Sequence, residues 1–150
     1  MNATIVYLDS SAIIKRYLNE PGSNVVRALY VKAYAGDVKI AFNLWNIGEV
    51  LGALDKARRL GRIDEHEHSI TRRRFLRETK RMVKLGILTA IPVKVKVLMK
   101  AWKLTEKHHI YVADALQITS AKHVKAEKFL TGDQKLHEVA TAEGLSSTLL

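Results

Sequence analysis

Short apolar runs alternate along this chain with segments of helix length, and that alternation limits what it can fold into. Thr4 to Leu8 is β-branched and apolar and reads as a buried strand. Asp9-Ser10-Ser11 then supplies N-cap chemistry for a helix continuing from Ala12 to Asn19. Pro21-Gly22-Ser23 breaks the chain before a second helix, from about Asn24 to Ala35, which Gly36 closes. Val38 to Phe42 is a second strand, and Asn46 to Leu60 a helix ended by Gly61. Asp64 caps a long helix that runs to Leu85 and stops at Gly86, and Ile87 to Ile91 is a third strand ended by Pro92. Helices over about 94–107 and 111–125 follow, then a fourth strand ending with Phe129 to Thr131. Asp133 caps a last helix to Glu143, and Gly144 leads into an extended tail. Parallel strands need crossovers of about a dozen residues or more, usually helical, and the connections here carry them. The expectation is an α/β fold, a parallel sheet sandwiched by helices, in one domain over residues 1–150. Ligands in such folds bind at the carboxyl ends of the strands.

The chain has no cysteine, which excludes disulfides and thiolate metal sites. Its start, Met1-Asn2-Ala3-Thr4, has no basic region leading into a long apolar core, and no stretch is long enough to span a bilayer. A cytoplasmic protein with no membrane association is expected. Twenty-five Lys and Arg face 15 Asp and Glu, a formal net charge of +10. A thermophile's charge-rich surface would explain many charges but not their single sign, so a polyanionic partner such as nucleic acid is expected. From His66 to Leu85, seven Arg and Lys oppose only Glu67 and Glu78. Arg73, Arg77, Lys80 and Lys84 recur there at helical spacing and read as a track for an RNA backbone, which Arg58, Arg59 and Arg62 would extend. Phe75, Leu76, Met82 and Val83 form the opposite stripe, expected to be buried. His108 and His109 are adjacent and cannot share a helix face, so they read as helix-end or surface residues. Trp45 and Trp102 are expected in the core or in dimer packing.

Four acids draw attention by position. Asp9 and Asp133 directly follow strands, and each also suits a helix N-cap. Asp114 lies in the first turn of an otherwise apolar helix, with Ile110, Ile118 and Ala121 on its own stripe. A carboxylate there needs a cation or strong donors. Glu49 lies early in a helix between Gly48 and Gly52, whose missing side chains leave room for a ligand. In a parallel sheet these positions share one edge. Four carboxylates packed together repel one another, and a divalent cation resolves the conflict. Oxygen ligands without His or Cys point to Mg²⁺ or Mn²⁺, ions that activate water for phosphodiester cleavage.

The motifs around these acids resemble those of the PIN domain family. YLDSSAIIKRYLNEPGS is similar to the family's opening, IGEVLGALDKARRLGRI to its second motif, VADALQITSAK to its third and FLTGDQKLHEVATAEGL to its fourth. They occur in the family order and cover nearly the whole chain. The resemblance implies that Asp9, Glu49, Asp114 and Asp133 form a catalytic, metal-binding site, and that Ser11 and Thr131 orient Asp9 and its neighbours. It departs from the family at Asn43, where Ser or Thr is usual. It further implies metal-dependent RNA cleavage and, for small single-domain members, the toxin half of a VapBC toxin–antitoxin pair, with an antitoxin partner and a homodimeric state. An inhibitor is expected to insert a cation among Asp9, Asp114 and Asp133 and to cover an apolar groove around Ile14, Leu18, Val50 and Leu54. The alternatives are a housekeeping RNA-processing nuclease and a non-catalytic nucleic-acid-binding module. A dehalogenase-like phosphatase would need an acid where Ser11 stands.

Overall fold

The computed structural model describes residues 3–150. Five strands, β1 (Thr4–Leu8), β2 (Val38–Asn43), β3 (Leu88–Ile91), β4 (Lys128–Thr131) and β5 (Ser147–Leu149), form one sheet in the order β3-β2-β1-β4-β5. Every pairing is parallel. β1 therefore lies at the centre, flanked by β2 (Val6 opposite Ile40) and β4 (Leu8 opposite Leu130). Seven helices connect and cover the strands: α1 (Ser10–Tyr17), α2 (Ser23–Tyr34), α3 (Leu44–Arg59), α4 (Glu65–Lys84), α5 (Val95–His108), α6 (Val112–His123) and α7 (Gln134–Ala142). This is the α/β/α sandwich anticipated from the alternation of segments.

Successive strand residues point to opposite faces, so each strand feeds two cores. On one face Val6, Leu8, Ile40, Phe42 and Leu130 pack with Ile13, Val26, Tyr30, Val50, Leu54, Phe75 and Met82 of α1–α4. On the other, Tyr7, Ala41 and Phe129 pack with Val97, Leu116, Ile118, Leu136 and Val139 of α5–α7. The Tyr7 and Phe129 rings stack across neighbouring strands with centroids 5.5 Å apart. Each large apolar side chain buried this way contributes roughly 1.5–3 kcal/mol relative to exposure.

Four of the seven helix starts are set by short polar side chains. Asp9, Asp64 and Asp133 accept from the backbone N–H three residues on, at 2.9, 2.7 and 2.9 Å. α3 begins at Leu44, two residues before the expected start, because Asn43 both ends β2 and caps the helix, accepting from the Trp45 N–H at 2.8 Å. The tail after Gly144 forms β5, the fifth strand. Gly22 has φ +87, and a Cβ there would lie 2.9 Å from Cβ of Leu150, so both backbone and space demand glycine.

The long basic helix is anchored by an ion pair the expectation missed. Glu78 is buried and takes both oxygens' bonds from Arg16, Nε and Nη2 at 3.0 Å each, with the Tyr17 and Tyr34 hydroxyls at 2.9 Å. Burial pushes its carboxyl up, but these donors more than offset that and hold it below its ordinary value. Glu78 is thus turned inward and neutralised, and leaves the outer face of α4 more positive than a simple count suggests. Phe75 and Met82 are buried as expected, whereas Val83 is exposed, because it falls beyond the stripe that faces the core. Trp45 and Trp102 are likewise half exposed rather than in the core. Among the described residues no helix is long and apolar enough to cross a membrane.

Candidate metal centre

β1 and β4 are neighbours, so the residues that follow them meet at one edge. Asp9, 5% exposed, is held on both oxygens. Oδ1 accepts from Ser11 Oγ at 2.7 Å and from the Ala12 N–H at 2.9 Å, and Oδ2 accepts from Thr131 Oγ1 at 2.6 Å. Ser11 Oγ also accepts from the Gly132 N–H at 2.7 Å, and Thr131 Oγ1 from the Asp133 N–H at 3.0 Å. Two hydroxyls therefore clamp the loop after β4 onto the loop after β1. Gly132 permits the close approach: a Cβ there would lie 3.0 Å from Lys15 Cε and 3.4 Å from Ser11 Oγ. Asp133, exposed, caps α7 through Oδ1.

The other two acids come from helices. Asp114 sits half-buried in the first turn of α6, and no donor among the described residues bonds its carboxylate. Glu49, on α3 and exposed, accepts from Ser10 Oγ at 2.7 Å. None of the four acids forms an ion pair with a Lys or Arg of the described residues.

Their charges register one another. The Asp114 carboxyl is pushed up to about 6 by burial and by the negative charges of Asp133, Glu49 and Asp9. Burial also raises Asp9; the bonds from Thr131, Ser11 and Ala12 oppose the rise, and the charge of Asp133 adds to it. Among the described residues, no three such side chains are drawn together closely enough to hold one ion by themselves. A small hard cation fits nonetheless. Mg²⁺ keeps several waters and is commonly bound through one or two carboxylates plus substrate phosphate. The donors present are all oxygen, and the half-buried, unbonded Asp114 is short of a cation.

Beneath the acids lies a polar network that sequence reasoning missed. Asn46, wholly buried, donates from Nδ2 to Ser10 Oγ and to Gln117 Oε1, both at 2.8 Å, and its Oδ1 accepts from the Asn43 N–H at 2.8 Å. Tyr7 donates its hydroxyl to Gln117 Oε1 at 2.7 Å. Asn43, the departure from the family's Ser or Thr, donates from Nδ2 to Ser120 Oγ at 3.0 Å. The Asn-x-x-Asn spacing of Asn43 and Asn46 is a capping-box signal, the one local trace of this network.

The remaining candidates lie elsewhere. Arg73, Arg77, Lys80 and Lys84 are all exposed on α4, with no bond joining them to the acids among the described residues. His108 ends α5 and bonds Glu143 at 2.8 Å, a helix-end role. Val50 and Leu54 do not line a groove: both are fully buried in the core, because the apolar stripe of α3 points at the sheet. The groove present there, about 600 Å³, is lined by Ile14, Leu18, Ala53, Ile63 and Ile70 among others.

Residues 6–142 match the family model described as PIN domain. No curated protein sequence matches the chain. Among solved structures, the chain is similar to VapC20 of Mycobacterium tuberculosis, described as a sarcin-ricin loop cleaving toxin, with a TM-score of 0.66, 12% identity, and coverage of 97% of this chain and 99% of that one. It is similar to VapBC2 of Rickettsia felis bound to a DNA fragment from its promoter, at 0.64 and 15%, covering 98% and 99%. PAE2754 of Pyrobaculum aerophilum gives 0.63 and 19%, covering 98% and 90%.

Proposed function

Because this chain belongs to the PIN domain family, we propose that it is a Mg²⁺- or Mn²⁺-dependent endoribonuclease and the VapC-type toxin of a toxin–antitoxin pair. The observation that carries the reading is the edge where the charges of Asp133, Glu49 and Asp9 bear on Asp114, and that of Asp133 on Asp9, with no ion pair to a Lys or Arg among the described residues to relieve them. These four acids would hold the ion through one or two direct carboxylate bonds, with waters bridging the others. When bound, it supplies an attacking water of lowered pKa and polarises the phosphoryl oxygen. Ser11 and Thr131 oppose the upward push of burial on Asp9 and fix its carboxyl group, so that its oxygens are presented in one direction. Asp133 is held by its cap bond, and Asp114, bonded by no donor among the described residues, has both oxygens available to the ion. Arg73, Arg77, Lys80 and Lys84 would bind the RNA backbone without reading sequence.

A toxin needs an inhibitor. Likeness in fold to VapBC2 supports an antitoxin partner. The antitoxin would lay apolar side chains into the groove between Ile14, Leu18, Ala53, Ile63 and Ile70 and set an Arg or Lys among Asp9, Asp114 and Asp133. We propose a homodimer as the working assembly, with Trp102 and its exposed apolar neighbours Val95 and Met99 available for the contact. The test is cleavage of single-stranded RNA with Mg²⁺, with Mn²⁺ and with chelator, beside Asp9→Asn. Metal-dependent cleavage leaving 5′-phosphate ends, lost in D9N, is expected. Cleavage without growth arrest in cells assigns the chain to RNA processing, and RNA binding with no cleavage in any metal reduces it to a binding module.

A further inference from the structure

Glu49 differs from its companions in being an exposed acid on a long side chain. Three torsions must be frozen before it can serve any ligand, at an entropic cost of up to about 2 kcal/mol. The bond that holds it comes from Ser10, Oγ to Oε1 at 2.7 Å. A serine has one proton and can give it elsewhere. What commits it here is Asn46, whose Nδ2 donates to the Ser10 oxygen at 2.8 Å, occupying a lone pair and leaving the proton for Glu49. The same nitrogen lies 3.4 Å from Glu49 Oε1.

The orientation of Asn46 is fixed at both ends. Its oxygen accepts from the Asn43 N–H, closing the cap of α3. Its nitrogen meets Gln117 Oε1, which also accepts from Tyr7, while Gln117 Nε2 donates to the Ala113 carbonyl at 3.2 Å. Turning the amide would set oxygen against oxygen and leave the Asn43 N–H unpaired, so the network admits one arrangement. The cap uses only the oxygen of Asn46. Its nitrogen is superfluous to the helix, and it is the atom that reaches toward the acidic edge.

We propose that Asn46 is a positioning residue for Glu49, acting through the Ser10 hydroxyl, and that the buried Tyr7–Gln117 pair holds Asn46 in register. This rests on the reading of Glu49 as part of the metal centre, and it deepens that reading by naming what fixes the acid with the longest side chain.

The experiment uses the full chain and Mn²⁺ alone, titrated by calorimetry, with thermal midpoints and RNA cleavage measured on the same proteins. Ser10→Ala, which leaves the cap intact, weakens Mn²⁺ binding about tenfold with an unchanged midpoint, and Ser10→Thr restores it. In a Glu49→Gln background, S10A has no further effect. Asn46→Asp keeps the capping oxygen but presents a second oxygen to Ser10 and draws its proton away; Mn²⁺ affinity falls although a negative charge has been added. Undiminished binding in S10A, equal losses in both backgrounds, or tighter binding in N46D would overturn the proposal. Wild-type protein that binds no Mn²⁺ sinks the reading of the acidic edge instead. The positioning is then decided by NMR of the metal-free protein: one Glu49 rotamer in wild type and S10T but averaging in S10A supports it, and averaging in wild type refutes it.

Discussion

At the scale of single residues, the acidic edge makes opposite demands on its members. Asp9 is satisfied on both oxygens, so its replacement by Asn removes charge while keeping shape and costs on the order of a thousandfold in cleavage, with folding intact. Asp114 is unsatisfied. Its carboxyl titrates near 6 in the folded, metal-free protein against an ordinary 3.8, so the folded state holds the proton longer than the unfolded chain does. Stability from this group is therefore greatest in acid and is lost as pH rises from about 4 through 6. Asp114→Asn should raise stability by about 1–2 kcal/mol at pH 8, a figure reduced for partial exposure, and by nothing near pH 4. Mn²⁺ should raise the melting temperature of the wild type more than that of D114N. Melting curves at the two pH values check this, and a gain that is equal at both counts against repulsion as its cause.

At the scale of elements, α4 carries a buried ion pair on one face and an exposed row of basic residues on another. Its inner face is fixed through Glu78 to α1 and α2. Glu78→Gln leaves the Arg16 guanidinium, 16% exposed, without a counter-charge and should cost about 2–4 kcal/mol by chemical denaturation. Because the folded carboxyl is held low, its contribution is present above the ordinary carboxylate range and disappears as pH falls through that lowered value. The outer face is predicted to govern salt dependence. Arg73→Glu with Arg77→Glu, placed in the D9N protein so that RNA survives, should weaken binding to all sequences and reduce the slope of log affinity against log salt by about one per lost phosphate contact. An unchanged slope would remove α4 from the RNA path.

Elements were readable in the sequence because their ends are marked locally: Gly36, Gly61 and Gly86 close helices, and Asp9, Asp64 and Asp133 open them. Three of the four acids were conspicuous for the same reason, standing at strand ends or on an apolar stripe. What was hidden depends on distant partners. Tyr7 meets Gln117 across 110 positions and Asn46 meets Ser10 across 36, and no periodicity records such pairs. Periodicity also says that Val50 and Leu54 are apolar neighbours on α3, but not that the sheet rather than a partner covers them. Trp45 and Trp102 show the converse, large apolar residues left outside.

At the scale of the whole molecule, an inhibitor and a metal should compete for one place. The complex with a cognate partner is predicted to bind no Mn²⁺ at the acidic edge, and removing the partner's inserted Arg or Lys should restore the metal while leaving the apolar contact. Titration of the purified complex measures this; full Mn²⁺ binding in the intact complex would mean that inhibition works by another route.

The central strand and its neighbour β4 lie far apart along the chain: Thr131 bonds Asp9 across 122 positions. Synthesis runs from the N-terminus, so Asp9 exists long before the hydroxyl that fixes it and before Asp133. A nascent chain holding only the first four-fifths of the sequence has β1, β2 and β3 but not the clamp, and its acidic edge is unfinished. If the finished edge cleaves RNA, this order of assembly delays that activity until translation is nearly complete. Ribosome-bound chains halted at Glu127 should be inert toward RNA, and those extended far enough to expose Leu150 should cleave it; activity in the shorter chain would show that the edge functions without β4.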